Sequence, residues 1–253
     1  MPNVLIDSSE RVTTLTLNRP ERRNALTIEL MNELVTAVEA ASADANQRIL
    51  ILRGAGKAFC AGLDLNETAI TERAHESAEL VAKPLLALSE TRLITIAQVH
   101  GAAVAGGAGL MSACDFVVAA ERTKIGYPEA KRGLVAGLVM TFLRRQLRER
   151  DIRELLFTGD LITAERAREI GLVNRVVPPN ELENEVQKLV SAIMQNAPGA
   201  LASSKRLIEE LWSTSVREDV EAALRHHMEA RESAEAKEGI AAFLEKRAPK
   251  WPG

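Results

Sequence analysis

Two glycine-containing turns, Phe59-Cys60-Ala61-Gly62-Leu63-Asp64 and Ala105-Gly106-Gly107-Ala108-Gly109, hold the pattern in this chain that could do chemistry. Each ends an apolar, strand-like run and precedes a segment that can be helical. Small residues in such turns leave backbone N–H groups exposed, so two turns brought together supply two donors converging on one oxygen. That is an oxyanion hole, which stabilises charge developing on a carbonyl or thioester oxygen. A carboxylate follows in Gly126-Tyr127-Pro128-Glu129. Two donors and one carboxylate predict acid–base chemistry beside an acyl group. The bland reading of Glu129 is a carboxylate at a helix N-terminus, stabilised by the dipole.

The elements that must position these groups are legible as alternating strands and helices. Residues 4–7 and 11–17 are β-rich runs split by residues 8–10, which predicts a hairpin. Thr27 caps a helix whose apolar face uses Leu30, Leu34, Val38 and Ala41. Continuous apolar runs at residues 49–52 and 93–99 predict buried strands. Residues 67–88 read as mostly helical, 106–113 as a helix opening on glycine, and 115–119 as another strand. Helices dominate from about residue 140, interrupted by a strand at 172–177, and Asn180 with Glu183 resembles a capping box. After Pro198 the chain is helical almost to Pro249. The fold class is therefore α/β, with a core over residues 1–195 and a helical region over 196–253.

Composition narrows the partners. The 253 residues are 46% apolar, enough for a substantial core. The 32 basic and 35 acidic side chains leave a net charge of −3, which gives no electrostatic case for nucleic acid. Cys60 and Cys114 lie among small apolar residues and read as reduced core thiols, with no metal-ligand spacing. The first residues have neither a basic stretch nor a long apolar core, and no run approaches the ~18 residues of a membrane span. A cytoplasmic protein is expected.

Several motifs fail. Gly54-Ala55-Gly56-Lys57 suggests a nucleotide loop, but the P-loop pattern needs glycine where Ile51 stands and Ser or Thr where Ala58 stands. Residues 101–109 are glycine-rich without a dinucleotide-binding register. There is no GxSxG elbow. The four histidines, His75, His100, His226 and His227, read as structural or surface residues, with His100 closest in sequence to the second turn.

Read with their neighbours, the turns resemble the enoyl-CoA hydratase/isomerase (crotonase) superfamily over nearly the whole chain. The likeness begins at Leu17-Asn18-Arg19-Pro20-Glu21-Arg22-Arg23-Asn24-Ala25-Leu26 and runs through residues 54–65, 101–115 and 126–129. It continues in Phe157-Thr158-Gly159-Asp160, Ala164 to Ala167 and Gly171-Leu172-Val173-Asn174. The resemblance implies a crotonase-type spiral of ββα units with a helical C-terminal trimerisation region, assembled as a homotrimer or dimer of trimers. It implies an acyl-CoA substrate and no separate cofactor, metal or nicotinamide, because coenzyme A enters as part of the substrate.

By the same resemblance, the backbone N–H groups of Ala61 and Gly106 hold the thioester oxygen. Arg22, Arg23 and Ala25 line the CoA path with Ala61, Gly62, Leu63, Asp64 and Leu65, and one of the two arginines lies near the phosphates. Gly106 and Gly107 border the acyl group, Leu134 belongs to its pocket, and Phe243 or Lys246 reaches a partner's CoA.

One departure matters most. Hydratases of this superfamily use two glutamates; the second matches Glu129, but the first position is Gly109. Residues 133–140 also lack the Pro-Gly-x-Gly-Gly run of typical hydratases and present Leu134, Leu138 and Met140, which predicts a reshaped apolar pocket. A lone carboxylate suits a Δ3–Δ2-enoyl-CoA isomerase or a methylglutaconyl-CoA hydratase-like enzyme. A non-catalytic acyl-CoA-binding homologue is the alternative.

Overall fold

The computed structural model describes residues 1–68, 76–77 and 79–251. In chain order the strands are β1 (Val4–Ser9), β2 (Val12–Leu17), β3 (Ile49–Gly54), β4 (Ile94–Val99), β5 (Ala102–Val104), β6 (Phe116–Ala120), β7 (Lys124–Gly126), β8 (Ile162–Thr163) and β9 (Arg175–Val177). The helices are α1 (Ile28–Ala43), α2 (Leu65–Thr68), α3 (Ala82–Glu90), α4 (Gly106–Ser112), α5 (Gly137–Gln146) and α6 (Glu149–Thr158). They continue as α7 (Ala164–Glu169), α8 (Leu182–Met194), α9 (Pro198–Glu210), α10 (Val216–Glu232) and α11 (Ala234–Leu244).

A larger sheet runs β1-β2-β3-β4-β6-β9, parallel beyond the antiparallel first pair, and a small one runs β5-β7-β8. Turns of the chain place one strand in each sheet before a helix, as in β4–β5–α4, which makes a spiral of ββα units. Sequence reading missed the small sheet because strands of two or three residues have no periodicity to detect. The first hairpin also turns one residue later than expected, at Glu10 and Arg11 with φ of 43° and 74°. Left-handed residues there match the strand twist.

β3 and β4 explain why their sequences are continuous apolar runs. Leu50 and Leu52 face the main core, while Ile49, Ile51, Ile94 and Ile96 face α8 on the other side of the sheet. α1 forms as expected: Thr27 accepts from the Leu30 amide, and Leu30, Leu34, Val38 and Ala41 are buried. The helix expected over residues 67–88 is realised in α2, at residues 76–77 and 79–80, and in α3; residues 69–75 and 78 lie outside the described residues. No capping box forms at Asn180 and Glu183. α8 starts after a 3₁₀ turn at Pro179–Glu181, and Glu183 instead accepts from buried Gln98 at 3.1 Å. The strand expected over 172–177 shortens to β9, with Leu172 and Val173 buried in the turn before it.

The region 196–253 is no detached appendage. α10 lies along α5, and a Cβ on Gly137 would sit 2.9 Å from the Ala223 carbonyl oxygen. α11 rests on a 3₁₀ turn at Pro128–Arg132 that carries Glu129. Among the described residues no helix is long and apolar enough to cross a membrane.

The loop before α1 is locked by Asn24, which is fully buried at φ 55°. Its Nδ2 donates to the carbonyls of Ala55, Ala58 and Phe59 at 2.9, 2.8 and 3.1 Å, and its Oδ1 accepts from the Arg19 amide at 2.9 Å. Asn24→Ala strands these groups and adds strain in the left-handed region. It is expected to destabilise the fold by about 2–3 kcal/mol, measured by urea unfolding; a change below about 0.5 kcal/mol would contradict this account.

Candidate active site

The two glycine turns meet because the chain between β3 and α2 pairs with β5. Cys60 donates its amide to the Ala102 carbonyl at 3.1 Å, and Val104 donates back to Cys60 at 3.0 Å. This ladder presses Gly62 (φ 89°) against the second turn. A Cβ on Gly62 would lie 2.9 Å from the Val104 oxygen and 3.4 Å from the Gly106 nitrogen. Gly107 is equally constrained: a Cβ there would sit 2.4 Å from the Cys60 oxygen. Gly62 and Gly107 therefore permit the close approach and do not themselves line the cavity.

The Ala61 amide is not available as an oxyanion donor. It donates to the Arg23 carbonyl at 3.0 Å, tying the first loop to the turn. The expected pairing is corrected by two residues. Leu63 forms a parallel bridge with Leu26 in which Leu26 donates to Gly62 and Asp64 donates to Leu26, at 2.8 and 2.9 Å. Backbone alternation turns the Leu63 N–H the opposite way, and it has no acceptor among the described residues. Gly106, the first residue of α4, likewise has no acceptor for its N–H, as the first turn of a helix requires. Leu63 and Gly106 both line one cavity of about 650 Å³. Ala105, before Gly106, has φ 51° and ψ −126°, a sparsely populated conformation of the kind held at functional sites.

Glu129 lines the same cavity. Its turn is fixed from behind: Tyr127, fully buried, shares a 2.8 Å hydrogen bond with Ser112 on α4. The carboxyl is nine-tenths buried, and its Oε2 has no hydrogen-bond partner. Burial pushes its pKa up to about 7, opposed by the Arg132 charge. A general base near neutral pH is what acid–base work needs.

The remaining expectations sort cleanly. Arg22, Arg23, Ala25, Ala61, Asp64, Leu65 and Leu134 all border the cavity, as does Leu138, whereas Met140 does not. Asp64 is held in an ion pair by Arg19 at 3.1 Å. His100 lies outside the cavity wall, with Nε2 2.9 Å from the Gly56 carbonyl. Burial pushes both cysteine thiols up to about 12, and each donates to a carbonyl, so both are structural. Phe243 lines its own chain's cavity and stacks on Arg132 at 4.4 Å.

Position 109 is walled by apolar groups. A Cβ there would meet Val139 Cγ1 at 2.8 Å and Leu85 Cδ2 at 3.4 Å, so no second carboxylate faces Glu129 from this side. Arg132 and His227 are among the cavity residues that escaped sequence reading. Arg132 was findable from its spacing, since side chains three apart eclipse in a 3₁₀ turn; His227 carried no signal. Among the described residues no three His, Cys, Asp or Glu side chains cluster as metal donors.

The raised pKa of Glu129 is also a stability statement. Its folded pKa exceeds the ordinary value, so stability is full below about pH 4.5 and declines as pH rises towards 7. Glu129→Gln is expected to stabilise the protein at pH 8 by up to about 3 kcal/mol, and hardly at pH 4.5. Urea unfolding at the two pH values reads the difference; equal effects at both would refute the buried-charge account.

Comparison with known proteins places the chain in a family. Residues 7–253 match the enoyl-CoA hydratase/isomerase family. A relative named putative enoyl-CoA hydratase, from Thermus thermophilus, is 40% identical over 250 residues, covering 95% of this chain and 97% of its own. A protein named crotonyl-CoA hydratase, from Syntrophomonas wolfei, is 34% identical over 253 residues, covering 97% and 96%. Among solved structures, EchA1_1 from Mycobacterium paratuberculosis aligns with a TM-score of 0.87 at 35% identity, covering 99% of this chain and 98% of that one. The likeness runs through both glycine turns and Glu129, and on it the chain belongs to the enoyl-CoA hydratase/isomerase family.

Proposed function

We propose that this protein is an acyl-CoA hydratase/isomerase that holds the thioester oxygen of an enoyl-CoA on the N–H groups of Leu63 and Gly106 and uses Glu129 as its sole acid–base group. The observation that carries this reading is a buried carboxylate with an unpartnered oxygen, in one cavity with two unpartnered backbone donors. Losing a proton from C2 of a thioester leaves an enolate, and two preorganised donors stabilise it by several kcal/mol in total.

Within this reading a double-bond shift is best supported. Glu129 takes a proton from C2 of a Δ3-enoyl-CoA, the electron pair delocalises onto the thioester oxygen and C4, and the same carboxyl returns the proton to C4. One carboxyl suffices, and the side chains that crowd position 109, Leu85 and Val139, are apolar. Hydration is the second reading, favoured by the printed names of relatives. There Glu129 would orient the attacking water and pass its proton to C2. A homotrimer or dimer of trimers belongs to the same proposal. Support comes from α9, which buries no residue in the single chain and leaves Leu207 and Ile208 exposed, as is Leu211 just after it.

Assays with 3-hexenoyl-CoA and crotonyl-CoA test the proposal. Glu129→Gln is expected to lower turnover by 10²-fold or more while CoA-ester binding persists. The wild-type rate should fall below about pH 7 as the carboxylate protonates. Unchanged turnover in Glu129→Gln would overturn the mechanism, and absence of turnover with retained binding would favour a non-catalytic acyl-CoA binder. Sedimentation at micromolar concentration is expected to give a trimeric or hexameric mass; a monodisperse monomer would refute the assembly.

A further inference from the structure

The wall of the cavity around Glu129 carries two further polar side chains, Arg132, whose charge acts on Glu129, and His227. Arg132 projects on the same side of its 3₁₀ turn as Glu129, about 6 Å further along the axis. Its Nη1 donates to the Pro128 carbonyl at 3.1 Å and its Nε has no partner. His227, on α10, also lines the cavity; it is nine-tenths buried, its Nδ1 lies 3.3 Å from the Val135 carbonyl oxygen, and its Nε2 is unpartnered. One helical turn on, Arg231 is equally buried and all three of its guanidinium nitrogens lack an acceptor. Among the described residues none of these three groups forms an ion pair.

Burying guanidinium or imidazole nitrogens without a hydrogen-bond partner is costly. Burial lowers the pKa of all three groups, and Arg231 lowers that of His227 further. The phosphate end of a CoA ester already has Arg22 and Arg23, on the loop before α1, to meet it. A guanidinium within a few carbon–carbon bonds of the acid–base carboxyl lies where the far end of a short acyl chain would be. Its planar fork suits a carboxylate.

Resting on the acyl-CoA reading, we propose that the substrate is the CoA thioester of a short dicarboxylic acid, whose free carboxylate binds Arg132 and His227 with the Arg231 charge behind them. Arg132 is then a specificity-determining residue. The apolar neighbours Leu134 and Leu138 line the carbon chain between the two ends.

Calorimetric binding of two saturated, unreactive esters tests this separately from catalysis. Glutaryl-CoA and pentanoyl-CoA have the same number of acyl carbons and differ in a terminal carboxylate against a methyl. The wild-type protein is expected to bind glutaryl-CoA about tenfold or more tightly than pentanoyl-CoA. Arg132→Met should abolish or reverse that ratio, and Arg132→Lys should keep part of it. His227→Phe should lower the ratio by a smaller factor, which keeps the test decisive if Arg132→Met does not fold. A wild-type preference for pentanoyl-CoA, or a ratio unmoved by the substitutions at Arg132 and His227, would overturn the inference while leaving the acyl-CoA reading intact. Binding of neither ester would overturn both.

Discussion

Everything at this site depends on how closely two backbones approach at Gly62 and Gly106. The donors that face the cavity are main-chain amides, so their positions are set by ladder bonds and not by rotamers. The Cys60 pairing with β5 and the Leu26 bridge to Leu63 together set the direction of the Leu63 N–H. A side chain larger than hydrogen at Gly62 or Gly107 would collide with backbone atoms and pull these turns apart. Donors held this way need no reorganisation as charge develops, which is the condition for strong oxyanion stabilisation.

Glu129 is held by a related device. Tyr127 is anchored to Ser112, and Ser112 sits on the helix that opens at Gly106. The Glu129 carboxyl and the Gly106 amide are therefore referenced to the same short helix. The carboxyl's burial disfavours its charged form, so Glu129 costs stability at neutral pH. The two hydrophobic clusters on either side of the larger sheet offset that cost. The same logic extends to Arg132, His227 and Arg231, whose burial is intelligible if an anion completes them.

The C-terminal helices contribute to the site as well as to the surface. α10 brings His227 to the cavity and α11 brings Phe243 over Arg132. α9 differs, since Leu201 packs against the second cluster while Leu207 and Ile208 stay exposed. One stretch of sequence thus serves two ends, closing the cavity through its last two helices and offering an unpaired face through the first.

The sequence by itself determined the alternation of buried strands and helices, the Thr27 cap, the two turns and the lone carboxylate at position 129. These are local: an unbroken apolar run, a side-chain oxygen at a helix start and glycines between such elements carry their meaning without knowledge of distant residues. Which amide of the first turn faces the cavity was beyond it. Ala61 and Leu63 lie two residues apart on one extended stretch, and only the pairing with Arg23 and Leu26, far upstream, consumes the first and leaves the second free. The three-residue strands of the small sheet and the missing cap at Asn180 were decided the same way, by partners distant in the chain. The charge of the acyl wall likewise exists only in three dimensions, because Arg132 and His227 come from elements that nothing in their local sequence brings together. Side chains converge through long-range packing, and the physics of packing is not local.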